Sequence, residues 1–166
     1  MTGNRLRLAL VTVALAAAAA LGVAFASEWW GGLVPCALCL VERWPYRIAI
    51  AVAALGSVLP VRLLRMALFL VLLCGLAGAV SASVHVGVEF GWWPSPLPEC
   101  AAPRFAAGSI AERLRSMPAR PSKPCDEPIF VLDPLPVSFA ELNLLYALVF
   151  SAGVAIVLGR RGRVRR

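Results

Sequence analysis

A chain of 166 residues that is 60% hydrophobic and only 15% charged, with a mean hydropathy of +0.81, is too apolar for a water-soluble domain, since soluble domains average about half apolar and a quarter charged residues. It needs lipid around it. The net charge of +7 does not make it a nucleic-acid binder, because five of the 16 basic residues crowd into the last seven positions, directly after an apolar run. Such a cluster is the usual cytoplasmic flank of a membrane helix, and no aromatic-lined basic face accompanies it.

In chain order, the first apolar run covers residues 8–26 behind Arg5 and Arg7 and predicts a span over about 6–27. Ala24-Phe25-Ala26 resembles a signal-peptidase site. The apolar stretch nevertheless exceeds the roughly 7 to 15 residues of a signal core, so the run is read as a retained span. Next comes LVPCALCLVERWPYR at 33–47, and behind it a second run with only fourteen charge-free residues, 48–61. A helix needs about 20 residues to cross some 30 Å of hydrocarbon. This second span, about 44–61, must therefore reach back through Arg47, Tyr46, Pro45 and Trp44, which draws Arg43 and Cys39 to the membrane boundary. The third and fourth spans fall at about 63–84 and 138–158.

Four crossings put Arg5, Arg7, Arg62, Arg65 and the C-terminal cluster on one side, which the positive-inside rule makes cytoplasmic together with both termini. The outer side then holds two loops, about 28–43 and 85–137. Trp29, Trp30, Trp44, Trp92 and Trp93 all stand at outer ends of crossings, where tryptophan is an interfacial residue. The long loop is proline-rich and irregular except at Ser109-Ile110-Ala111-Glu112, which reads as a capping box. It predicts a short amphipathic helix with Ile110, Leu114 and Met117 on one face, lying on the membrane surface. The fold class is therefore all-α: a four-helix transmembrane bundle with one long extracytoplasmic loop.

Five cysteines punctuate this plan. Cys74 falls mid-way along the third span, where a lone thiol acts as a small apolar residue. Cys36, Cys39, Cys100 and Cys125 all fall on the outer side, an oxidising compartment in which disulfides are the default. Four cysteines allow three pairings, and chain proximity favours Cys36 with Cys39 and Cys100 with Cys125. A structural staple accounts for the second pair. The first closes too small a ring to gain much loop entropy, and its surroundings are chemical. Pro35 suits a first helical turn, so both cysteines would stand near a helix N-terminus, where a thiolate is favoured. Arg43 lies one turn beyond Cys39 on the same face. A guanidinium at that depth is costly and calls for a partner beyond snorkelling, either the thiolate or an acceptor bound beside it. Arg47 reads as a snorkelling residue and Glu42 as a partner for either arginine. A dithiol at the lipid edge can meet a redox carrier dissolved in the bilayer, and a loop pair can meet a soluble protein. Thiol–disulfide exchange would link the two.

These residues resemble the disulfide bond formation protein B family, DsbB, the bacterial inner-membrane thiol oxidases. The likeness is carried by Pro35-Cys36-Ala37-Leu38-Cys39-Leu40-Val41-Glu42-Arg43, by the stretch from His85 through Trp92-Trp93 to Cys100, and by Cys125-Asp126-Glu127 with the later Val137-Ser138-Phe139-Ala140-Glu141-Leu142-Asn143. It spans nearly the whole chain. The resemblance implies a quinone-dependent oxidoreductase that reoxidises a periplasmic DsbA-like partner of thioredoxin fold. Electrons would pass from the Cys100–Cys125 pair to the Cys36–Cys39 pair and on to ubiquinone or menaquinone in the membrane pool. Arg43 matches the family's quinone-associated arginine. His85 would bond a quinone carbonyl or handle a proton, or else stand as a solvated interface residue. Enzymes of the vitamin K epoxide reductase type place their loop cysteines before the membrane-edge pair, the reverse of the order here. The non-enzymatic alternatives are a zinc site built from the four outer cysteines and a membrane protein carrying two structural staples.

Overall fold

The computed structural model describes residues 2–100, 109–115, 123–132 and 135–160. Helix α1, Gly3–Trp29, is apolar on every side, the pattern of a helix enclosed by lipid and neighbouring helices. A short helix α2, Ala37–Val41, is followed after Glu42 by α3, Arg43–Val58. Leu59 is extended ahead of Pro60, and Pro60 caps α4, Val61–Glu89; a residue preceding proline is sterically pushed out of the helical region. Gly91, at φ +69°, ends α4 by letting Trp92 N–H donate back to the Gly87 carbonyl at 2.9 Å. Helix α6, Phe139–Gly159, opens on a capping box between Ser138 and Glu141.

Helices α1, α3, α4 and α6 form an all-α membrane bundle. Three of them, α1, α4 and α6, are long and apolar enough to cross a bilayer. The sixteen residues of α3 extend only about 24 Å at 1.5 Å per residue. Helix α3 packs between α1 and α4, and α4 between α3 and α6, while α1 and α6 touch little. Leu10, Leu64, Leu68, Val71 and Val154 are fully buried at the centre. Small residues let the backbones close in, the packing device available to helices in lipid. A Cβ at Gly56 would stand 2.6 Å from that of Ala67, and one at Gly75 would stand 2.5 Å from Ser151 Oγ.

Two arginine contacts join helix termini at one end of this bundle. Arg7 donates to the Leu59 carbonyl at 3.4 Å and Arg65 to the Arg160 carbonyl at 3.5 Å. Cys36, Cys39, Cys100 and Cys125 lie together at the other end.

The described residues beyond α4 hold more regular structure than their prolines suggest. Helix α4 runs to Glu89, so His85 is helical rather than the first residue of a loop. A 3-10 turn covers Pro98–Cys100, and α5, Ile110–Arg115, starts from Ser109, whose hydroxyl and backbone pair with Glu112 as the capping box requires. Met117, assigned to the apolar face of that helix, lies outside the described residues. Strands β1, Phe130–Leu132, and β2, Leu135–Ser138, form an antiparallel hairpin that the sequence did not announce. Pro128, Pro134 and Pro136 argue against a strand, and a two-stranded ribbon is all edge, where proline is tolerated.

Candidate functional site

The first cysteine pair is organised by the start of α2. Cys36 is its N-cap, with extended backbone, and Cys36 Sγ accepts from Cys39 N–H at 3.3 Å. Pro35 therefore stands just ahead of the cap rather than inside the first turn. The two sulfurs are 3.1 Å apart and share a hydrogen; they are not bonded to each other. Cys36 is buried and Cys39 half-buried. The hydrogen bond with Cys39 holds Cys36 down at about 4, with His85 beside it acting the same way against the upward push of burial. That bond and burial push Cys39 up. Both directions favour Cys36 over Cys39 as the thiolate of the pair.

His85 is 3% exposed, which rules out the solvated interface role. Its Nε2 lies 3.5 Å from Cys36 Sγ and its Nδ1 2.8 Å from Glu42 Oε1. Glu42 accepts from Asn143 Nδ2 at 2.6 Å through its other oxygen, and Asn143 Oδ1 accepts from the Tyr46 hydroxyl at 2.8 Å. One hydrogen-bonded chain thus joins α2, α4, α3 and α6. Glu42 is not an arginine's partner: Arg43 pairs with Glu28 at the end of α1 and stacks over Phe25 at 5.0 Å. Arg47 is exposed, its guanidinium 5.4 Å from the Trp44 ring, as a snorkelling side chain would be.

Where α1 and α6 part, a cavity of about 300 Å³ opens between them, walled mainly by apolar side chains such as Leu21, Ala24, Phe139 and Tyr146. Cys39, Glu42, Arg43, Tyr46 and Asn143 form its polar edge, and His85 is not among the lining residues. Arg43 Nε, on this edge, is buried without a hydrogen-bond partner. Glu28, Asn143 and Tyr46 were not singled out from sequence. Asn143, the one amide in the fourth apolar run, carried a signal, since polar groups at membrane depth are expensive and usually have work to do.

Cys100 and Cys125 are bonded to each other, 4% and 1% exposed. They pack with Cys36, Leu38 and Val88 in one buried cluster. By sequence, this loop pair can meet a soluble protein; in the structure both sulfurs are covered. The pair is not half of a four-cysteine zinc site, because sulfurs spent in a disulfide offer no thiolate.

Two cysteine pairs packed against each other at one end of a membrane bundle, one bonded and one reduced, define a membrane thiol–disulfide oxidoreductase. The sequence profile described as Disulfide bond formation protein DsbB matches residues 6–157, and the chain belongs to that family. It is also 27% identical over 155 residues, 92% of this chain and 86% of the relative, to an uncharacterized protein of Rickettsia prowazekii (strain Madrid E). No solved structure matches the chain.

Proposed function

We propose that this protein sits in the bacterial inner membrane with its termini in the cytoplasm, oxidises a periplasmic DsbA-like thioredoxin-fold protein, and delivers the electrons to ubiquinone or menaquinone. One observation carries the reading. Cys39 touches Cys36 on one side and lines the apolar cavity on the other, next to an arginine with a spare buried donor. The cavity suits a substituted quinone ring: its walls are apolar, and Arg43 and Asn143 are placed to meet carbonyl oxygens. A quinone held there would accept two electrons and two protons.

The relay begins when a partner thiolate attacks Cys100, breaking the Cys100–Cys125 bond and releasing Cys125 as thiolate. Cys125 attacks Cys36 of a Cys36–Cys39 disulfide, and Cys39 leaves as thiolate at the cavity edge. The partner's second thiolate closes its own disulfide and frees Cys100, which attacks Cys125 and releases Cys36. The Cys36–Cys39 dithiol is then oxidised back to its disulfide. His85 and Glu42 supply the proton route: a ring protonated on both nitrogens donates to Cys36 and to Glu42, and Glu42 reaches the cavity edge. His85 is thus assigned to the thiolate and its proton, and Arg43 to the quinone.

The test mixes purified protein with a reduced DsbA-like partner and a short-chain quinone and follows quinone absorbance. Consumption that needs both the partner and Cys100, and stops in Cys100→Ser, is expected. Partner oxidation without quinone loss would overturn the reading.

A further inference from the structure

The donor atoms of Cys36, Cys39 and His85 all lie within 4.8 Å of one another. Two sulfurs two residues apart, with a ring nitrogen brought in from another helix, form a ligand set for a borderline-soft closed-shell cation. Calcium and magnesium prefer oxygen ligands. Zinc bonds sulfur at about 2.3 Å and imidazole nitrogen at about 2.0–2.1 Å, so a tetrahedral site has sulfur–nitrogen edges of about 3.5 Å and a sulfur–sulfur edge of about 3.8 Å. The Cys36 Sγ–His85 Nε2 distance is already 3.5 Å. The sulfurs, at 3.1 Å, would part by roughly 0.7 Å to reach that edge, which the half-buried Cys39 side chain can supply by turning toward the cavity it lines.

The surroundings match a metal centre. Glu42 holds His85 Nδ1 at 2.8 Å, the carboxylate–histidine arrangement that fixes the tautomer and orientation of a ligating ring. Cys39 N–H already donates to Cys36 Sγ. Glu89 Oε1 stands 4.0 Å from His85 Nε2, near enough to share the fourth position with water.

We infer that the reduced Cys36–Cys39 pair and His85 form a redox-gated site for zinc or a similar thiophilic divalent cation. Binding releases the proton of each thiol that carries one together with the Nε2 proton of a doubly protonated His85 ring, and leaves a divalent ion, two thiolates and a neutral imidazole whose charges cancel. The disulfide offers no thiolate, so oxidation closes the site. A bound ion also locks both sulfurs, so electrons cannot leave the pair. Binding stands independently of the quinone reading; only the inhibition that follows from it rests on that reading.

The experiment uses full-length protein carrying Cys100→Ser and Cys125→Ser, reduced with a non-chelating phosphine. It is titrated with Co²⁺ to read thiolate-to-cobalt charge-transfer and tetrahedral bands, and with Zn²⁺ against a chromophoric chelator. One ion per chain is expected. The charge-transfer bands should collapse in Cys39→Ser and after oxidation of the pair, and zinc affinity should fall about tenfold or more in His85→Ala and in Glu42→Gln. Undiminished binding by the oxidised protein, or affinity unchanged in His85→Ala, overturns the site. So does loss of all binding in the Cys100→Ser/Cys125→Ser background, which would return the four-cysteine arrangement. In the unsubstituted protein, zinc should stop partner-dependent quinone consumption and a chelator should restore it. Stoichiometric binding without that inhibition overturns the locked-electron consequence and leaves the site standing.

Discussion

Cys36 and Cys39 stand on the first turn of α2, wired by hydrogen bonds to His85, Glu42 and the cavity edge, whereas Cys100 and Cys125, 25 residues apart in sequence, are joined to each other and surrounded by apolar side chains. The first pair is set in polar groups that favour a thiolate. The second has Leu38, Val88 and Leu97 for company, which lend it no charge stabilisation. The difference bears on direction in the proposed relay. Polar groups that favour a thiolate favour the reduced form of the first pair, which would make its disulfide the stronger oxidant of the two and send electrons from the Cys100–Cys125 pair to the Cys36–Cys39 pair. Burial adds a condition to the proposed relay: with Cys100 only 4% exposed, a soluble partner would have to displace its cover before attacking.

The harshest way to break this comparison removes one sulfur from each pair. Cys39→Ser should reduce quinone consumption to background with any electron donor, since no disulfide can then form beside the cavity. Cys100→Ser should abolish consumption driven by the protein partner yet leave consumption driven by a small dithiol, which can reduce the Cys36–Cys39 disulfide directly. Steady-state rates with both donors decide it; equal losses in Cys100→Ser would mean the pairs do not act in series.

A smaller effect is expected at the cavity edge. Arg43→Gln combined with Glu28→Gln removes an ion pair without stranding a buried charge and deletes the spare donor. A lost charge-assisted hydrogen bond is worth about 1.5–3 kcal/mol, or roughly 10- to 100-fold. That loss should appear in the KM for quinone, with kcat at saturating quinone and the DsbA-like partner's KM little changed.

The acidity of Cys36 gives the comparison a pH axis. Its folded value of about 4 lies below the ordinary 9.0. The thiolate therefore stabilises the reduced fold fully above pH 9, and that contribution is lost progressively as pH falls to 4. Iodoacetamide should alkylate reduced Cys36 at a nearly constant rate from about pH 6 to about 9, falling toward pH 4. In Cys39→Ala, which leaves no donor at that position, the midpoint should move upward, because the hydrogen bond with Cys39 is the largest cause of the low value. An unshifted midpoint would reassign that cause to His85.

The parts that could be read directly were those that the bilayer or the local chain dictates. Apolar runs are long because hydrocarbon demands it, and the shortness of the second one drew the reading back toward Arg43, where α3 starts. The pairing of Cys100 with Cys125 followed from proximity. The remainder depends on which helix faces which. Nothing local says that His85, 49 residues away, meets Cys36, or that Glu28 rather than Glu42 takes Arg43. A cavity bounded by α1 and α6 exists only once α3 and α4 have been packed between them.

The finest test concerns the floor beneath the sulfur cluster. A Cβ at Gly87 would run into the Trp93 ring, which lies against α4 and donates from Nε1 to the Val84 carbonyl at 3.0 Å. The neighbouring Val88 packs on the cysteines. Gly87→Ala would force the ring aside, and because Trp93 is 43% exposed it has somewhere to go. The cost should sit at the low end of overpacking, about 1–2 kcal/mol, read as a lowered thermal midpoint in detergent. Trp93→Ala should cost less in the Gly87→Ala background than alone, since the ring has already been pushed off its seat there, and a double-mutant cycle measures that coupling. Turnover with a small dithiol should persist in Gly87→Ala, because the Cys36–His85–Glu42 chain does not pass through Trp93. If it falls as far as the partner-driven rate, the outer end of α4 supports both pairs alike, and the contrast between a wired pair and a merely packed one fails at its base.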